Sequence, residues 1–356
     1  MRESTVLLVI SIVQIMFCAL LVGVLMIHRR RTVRTTRARA RYVERLVEPL
    51  RSWALGERPV ESLLPVLRAA PSAIALEAIS VHCAVRASPT EHARMAAAFR
   101  EERWVQQVLD QHRSAKWTER MMAARMLVIA GVPGDRPMLQ HLLQDPHAAV
   151  VSAALSGVRF LGDVPMVESL LTALPHRPEF LRARTLESLR ETGQIALDPL
   201  RHCLRTERDA TALQIYIGVA DHLADPRTIV ACTVHATHEV AGVRRAVARA
   251  FQHYFSERAH TVLLSLLQDR EPEVRAEAAR TIGEIRASLC VPALALALRD
   301  PSHAVRIAAA LALASVGTPG SIALTSALES DDRFAADAAR MVSNLSRGAI
   351  RELVEV

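Results

Sequence analysis

The sequence predicts an all-α protein of stacked helical hairpins, preceded by one apolar helix, and three observations carry that reading. An apolar pattern returns at a fixed period of about 31 residues through most of the chain. Hydrophobic residues fill 51% of the 356 positions, yet aromatics fill only 4%, so the apolar share is dominated by Ala and Leu, which favour helix. Residues 6–27 form one unbroken apolar run without a charge.

The apolar run comes first in the chain. Its sequence, VLLVISIVQIMFCALLVGVLMI, is long enough to cross a bilayer core as a helix rising about 1.5 Å per residue. A cleaved leader would have a shorter apolar stretch, with basic residues before it and a small-x-small site after it. Here the basic cluster follows the apolar stretch, which predicts a retained transmembrane anchor over residues 1–27. No GxxxG pattern marks it for helix pairing.

A basic collar, residues 28–41, follows. Arg29, Arg30, Arg31, Arg34, Arg37, Arg39 and Arg41 lie in it and are the candidate contacts for anionic lipid head groups. Only Arg2 precedes the apolar run, so the positive-inside rule places the N-terminus outside and the remainder in the cytoplasm of a single-pass, bacterial-type inner-membrane protein. The collar also accounts for the net charge of +7: residues 29–51 hold nine Arg and two Glu, and residues 52–356 sum to zero. A neutral body lacks the basic footprint of a nucleic-acid binder, so nucleic acid is not the expected partner. The five cysteines (18, 83, 203, 232, 290) are scattered and contain no CxxC pair, which gives neither a disulfide framework nor a structural zinc site.

Residues 42–113 read as helices off the repeat period, broken by Pro49, Pro59, Pro71 and Pro89, and are expected to cap the array. The array proper covers residues 114–356, with a C-terminal cap. Its copies begin at Glu119, Val150, Leu181, Ala212, Val243, Val274 and Val305, each one period after the last, and at Phe334. Four, five and eight positions on stand small or apolar residues: Ala123, Ala124 and Leu127 in the first copy, Ala309, Ala310 and Leu313 in the seventh. Those offsets share one face of an α-helix. A second apolar stretch precedes each, such as VPALALAL at 291–298, so every repeat is a helical hairpin that buries its face only by stacking on neighbours. Gly131, Gly162, Gly193 and Gly317, at offset twelve, suit the end of the second helix.

RDPSHAVRIAAALALASVG (299–317) and DREPEVRAEAARTIGEI (269–285) resemble HEAT repeats of the short, phycobilisome-lyase-like type. The resemblance covers residues 114–346 and implies an α-solenoid that serves as a binding scaffold. It also implies a structural ladder of Arg at the start of the second helix and Asp before it. Arg120, Arg182, Arg244, Arg275 and Arg306 stand at the Arg position, with Val151, Leu213 and Ala335 departing from it. Asp145, Asp269 and Asp300 stand at the Asp position, and His176 and His238 replace it in two repeats, so the middle of the ladder should be looser or wired differently.

Catalytic chemistry finds little support in the residues. Cys232, His235 and His238 are spaced by three, which is no recognised zinc signature, and His238 belongs to the ladder. His238–Glu239 is a single His-Glu pair, where the HEAT-like di-iron hydroxylases need several. Walker, GxSxG and GxGxxG patterns are absent. The lyase-like resemblance raises an enzyme acting on a bilin, but nothing marks a nucleophile or a chromophore pocket. The expectation is therefore no catalytic residue, no metal and no cofactor.

What remains is the exposed face of the second helices at offsets six, nine and ten. It presents Arg125, Arg159, Glu187, Arg190, Asp221, His222, Arg249, His253, Arg280 and Glu284, with Tyr254 and Phe255 as candidate aromatic anchors. The sequence thus predicts a membrane-anchored scaffold that docks a partly acidic segment of a protein partner. A membrane-tethered nucleic-acid binder and a bilin lyase are the alternatives.

Overall fold

The computed structural model describes residues 44–53, 57–69, 74–76, 89–252, 254 and 256–345, together with positions 16, 26, 40, 42, 79 and 348. The expected anchor and collar lie outside the described residues except at Met16, Met26 and Ala40. Among the described residues no helix is long and apolar enough to cross a membrane, and none lies in a strand. The chain divides into two compact units, Met1–Leu161 and Gly162–Val356.

In the first unit, residues 44–53 are helical and bury Leu46 and Leu50. The helices α1 (Leu64–Arg68), α2 (Pro89–Arg100), α3 (Arg103–Asp110), α4 (Trp117–Ala130), α5 (Arg136–Leu143), α6 (Ala148–Leu155) and α7 (Val158–Leu161) follow. Their apolar faces close on Phe99, Leu109, Met126 and Leu127, all fully buried. Long-range ion pairs tie the off-period helices down: Arg68 to Glu102, and Arg100 to both carboxylate oxygens of Asp135 at 2.8 and 2.9 Å. His92 stacks on Phe160 at 3.9 Å, with Nε2 3.0 Å from the Val128 carbonyl. The repeat that begins at Val150 is expected to hold one second helix, but it is broken between α6 and α7 at Ser156 and Gly157. A Cβ at Gly157 would stand 3.2 Å from Leu139 Cδ1, so the break lets α5 approach closely.

The second unit runs α8 (Val164–Ala173), α9 (Glu179–Thr192), α10 (Leu197–Thr206), α11 (Ala210–Leu223), α12 (Pro226–Ala231), α13 (Ala241–Ala250), α14 (Glu257–Leu266), α15 (Pro272–Glu284), α16 (Val291–Ala297), α17 (His303–Ser315), α18 (Thr318–Leu328) and α19 (Arg333–Ser343). Helices α9, α11, α13, α15, α17 and α19 each pack on the next in one layer, and the shorter helices between them form the other. Short polar side chains start several helices: Asp163, Asp209, Asp225, Ser256 and Asp332 each accept a backbone N–H from the first turn. The inner positions at offsets four, five and eight are buried in all eight copies, with one exception, Leu186. Close packing depends on small residues there. A Cβ at Gly283 would lie 2.8 Å from Ala312 Cα, so α15 and α17 meet nearly backbone to backbone.

Offset twelve is the helix exit. Gly193 and Gly317 have φ of 60° and 89°, and the positive-φ non-glycine residues, Ala224 (52°) and Arg286 (50°), occupy the same offset in their own repeats. Gly131, at the same offset, is extended instead (φ -70°), so the left-handed exit belongs to the repeats that begin at Leu181, Ala212, Val274 and Val305.

Candidate partner-binding groove

The ladder positions come together as bidentate pairs with a constant sequence separation. Arg120 meets Asp145 at 2.5 and 3.0 Å, Arg244 meets Asp269 at 2.6 and 2.7 Å, and Arg275 meets Asp300 at 2.7 and 2.8 Å. Each Arg also donates to two carbonyls five and six positions before it, in Arg244 those of Glu239 and His238. Each Asp accepts the N–H two positions on. Burial pushes these carboxyls up, but the guanidinium and backbone hydrogen bonds outweigh it and hold Asp145, Asp269 and Asp300 below the usual range.

The remaining ladder positions differ. Arg306 donates to the Asp300 and Pro301 carbonyls and lies over the Phe334 ring at 4.9 Å. Arg182 forms no ion pair among the described residues; the carboxylate in the matching ladder register, Glu207, accepts the Arg208 and Asp209 N–H groups instead. His238 Nδ1 accepts the Val240 N–H at 3.1 Å, the turn-closing half of an aspartate's part. His235 places Nε2 2.8 Å from the Leu204 carbonyl, and Cys232 donates to the Thr228 carbonyl. Burial pushes the Cys232 thiol up to about 12, and among the described residues no group of three or more His, Cys, Asp or Glu is placed to hold a metal ion.

A groove of about 880 Å³ opens over α9, α11, α13 and α15 in the second unit. Arg190, Asp221, His222 and Arg249, four of the residues expected to face a partner, line it together. Three more stand at its edge. Glu187 carries an oxygen 3.8 Å from His222 Nε2, Arg280 bonds Glu277 at 2.5 Å, and Glu284 feels Glu277, Asp221, Arg249 and Arg280. Burial first, then Glu277, raises the Glu284 carboxyl to about 7. Tyr254 is not among the lining residues, His253 and Phe255 lie outside the described residues, and Arg125 and Arg159 belong to the first unit, where Arg159 lies 5.2 Å over the Phe160 ring.

Offsets six, nine and ten miss half of this surface. The N-terminal ends of the helices contribute Gln214 and Arg245 at offset two, Ala246 and Glu277 at offset three, and Gly242 just before offset zero. Following the same helix face back from offsets nine and ten, one turn after another, would have found them. Leu186, counted as core by its offset, is half-buried and lines the groove.

The groove is charged unevenly. Its acids are already engaged: Asp221 accepts from the Gln252 amide at 2.9 Å, and Glu277 from Arg280. Arg190, Arg245 and Arg249 are exposed, and their guanidinium groups hold no hydrogen bond or ion pair among the described residues. The unused capacity is therefore guanidinium.

Residues 260–343 match the family model described as HEAT repeats, which makes that stretch of stacked hairpins a HEAT-repeat array. No curated protein matches the chain at a significant level. Similar solved structures include an engineered protein (18% identity, 83% of this chain and 91% of that one, TM-score 0.32). YibA of Escherichia coli is another (14%, 73% and 99%, 0.35), as is human deoxyhypusine hydroxylase in complex with glycerol (16%, 80% and 96%, 0.28). TM-scores this low carry no functional inference.

Proposed function

We propose that the protein is a membrane-anchored adaptor whose HEAT repeats recruit a partner protein through the groove over α9, α11, α13 and α15. The observation that carries this reading is the convergence of exposed Arg190, Arg245 and Arg249 on one concavity built from four neighbouring helices of one layer. Stacked repeats characteristically use such extended surfaces for binding, and arginine is enriched among the side chains that dominate interfaces. In this reading residues 6–27 hold the chain in a bacterial-type inner membrane, the basic collar rests on anionic head groups, and the repeats work in the cytoplasm without catalysing a reaction.

The test is crosslinking in membranes of cells expressing the full-length tagged chain, followed by mass spectrometry, beside the R245E/R249E variant. One partner captured by the parent and lost in the variant is the expected result. The same background from both would overturn the adaptor reading. Membrane fractionation with and without residues 6–27 tests the anchor separately: a truncated chain that still sediments with membranes at high salt refutes it.

A further inference from the structure

We propose that the groove seats an acidic peptide segment bearing two carboxylates about one helical turn apart, pressed against a floor that Gly218 keeps clear. This rests on the adaptor reading and names the chemistry of the partner.

The floor gives the first argument. Gly218 lies in the middle of α11, where glycine costs roughly 1 kcal/mol relative to alanine. Nothing in the fold repays that cost, because a Cβ at Gly218 would meet no atom within 4 Å. At the same offset of the next repeat stands Arg249, so a side chain is accommodated at this register when one is present. What glycine provides is a low floor facing the groove, where another backbone can approach.

The walls give the second. Arg245 and Arg249 lie four positions apart on α13, which sets their Cβ atoms about 6 Å apart on one face. Arg190 belongs to α9, on another wall of the same groove. Guanidinium forks match carboxylates in a bidentate way, and two carboxylates at i and i+4 of a helical peptide reproduce the spacing of the α13 pair. The volume lies toward the upper end of the ~300–1,000 Å³ typical of sites that enclose a ligand, far more than a single free anion needs. Asp221 and Glu277 stand among the arginines. They interrupt the arginines, so the groove offers separated cationic points for separated carboxylates rather than the continuous basic strip a nucleic-acid backbone calls for.

The experiment uses the full-length protein in detergent and a short fluorescent peptide carrying Glu at i and i+4, read by anisotropy at low and at physiological salt. Controls are the same peptide with Gln for Glu, and a duplex DNA. The Glu peptide should bind, with salt weakening it, and the Gln peptide should bind roughly tenfold or more weakly. R245E/R249E should abolish binding. Gly218→Leu should also abolish it without changing any charge, by filling the floor, while keeping the parent's helical circular dichroism. Arg205→Glu, on the exposed face of α10, should leave binding intact. The proposal is overturned by equal binding of the Gln peptide, by unchanged binding in both groove variants, by DNA competing more strongly than peptide, or by no binding of the Glu peptide at all. Captured partners that depend on Arg245 and Arg249 but contain no acidic segment would overturn this proposal and leave the adaptor standing.

Discussion

Removing the carboxylate of Asp269 should destabilise the second unit by about 3–5 kcal/mol. The Arg244 side chain is 5% exposed and that of Asp269 8%, so neither charge is rescued by water if the other is lost. Asp269→Ala removes two charge-assisted bonds of 2.6 and 2.7 Å and also the acceptor of the Glu271 N–H, while a buried guanidinium is left holding only two carbonyls. Arg244→Leu with Asp269→Leu removes both charges together. It should recover most of the loss, remaining about 1–2 kcal/mol below the parent because the Arg244 carbonyl bonds also go. Urea unfolding followed by far-UV circular dichroism measures each arm, and the coupling energy should exceed about 1 kcal/mol. The folded Asp269 carboxyl titrates below its unfolded value, so its contribution is present above the unfolded pKa, near pH 4, and lost as pH falls through the folded one. A loss under about 1 kcal/mol for Asp269→Ala, or a double variant no better than the single, would refute the reasoning.

Three further outcomes follow from local geometry. Ala224→Gly and Arg286→Gly should each stabilise the chain by about 1 kcal/mol in thermal unfolding, because both residues hold left-handed backbone that glycine adopts freely; a lower melting point in either would count against the strain. Glu284 is raised to about 7 by burial and by Glu277, against the opposing Arg249 and Arg280. Its neutral form stabilises the fold below the unfolded carboxyl pKa, and that stability is lost as pH rises through about 7, up to about 3 kcal/mol before solvent screening reduces it. Glu284→Gln should flatten this slope in melting curves taken from pH 5 to 8, and an unchanged slope would exclude Glu284 as its source. Gly283→Val should cost about 2 kcal/mol or more in urea unfolding by forcing α15 off Ala312, and a neutral effect would show that the helices can separate cheaply.

The helical layers were legible because the repeat writes the same burial constraint eight times, and the buried inner positions show it. Leu186 shows the limit. Its offset marks it as core, but the layer of second helices leaves that position at the groove wall, and no single-helix periodicity encodes the neighbouring helix. The groove was half legible for a related reason. Periodicity identifies the face of each helix but not how far along it the neighbours leave it open, so Arg249 was expected and Arg245, one turn earlier, was not. The helix break at Gly157 lay hidden because Ala154, Leu155 and Val158 keep helical spacing across it.

The ladder has a register that accounts for two of its gaps, those where Arg itself is replaced. Where Arg is replaced, the partner position 25 residues on is replaced too: by sequence register Leu213 corresponds to His238, and Val151 to His176. Losing both charges together avoids a buried unpaired charge, which is the costly outcome. His238 keeps the turn-closing bond to Val240, but no side chain replaces the ion pair. In this part of the second unit the longer links are neutral or weak: Tyr216 to the Leu171 carbonyl at 3.3 Å, His235 to the Leu204 carbonyl at 2.8 Å, and the Gln252 amide to Asp221 at 2.9 Å. Native-state hydrogen exchange should therefore show α9 and α11 opening roughly tenfold or more readily than α15 and α17, which flank the paired Arg275 and Asp300. Leu213→Arg alone should destabilise strongly, since the new guanidinium would be buried without a counter-charge. Leu213→Arg combined with His238→Asp rebuilds the motif seen at Arg244 and Asp269, and should slow exchange in α11 to the level of α15. If the double variant exchanges as fast as the single, the ladder is not what sets local stability, and the shorter α12 and the Ala224 exit would have to account for the difference.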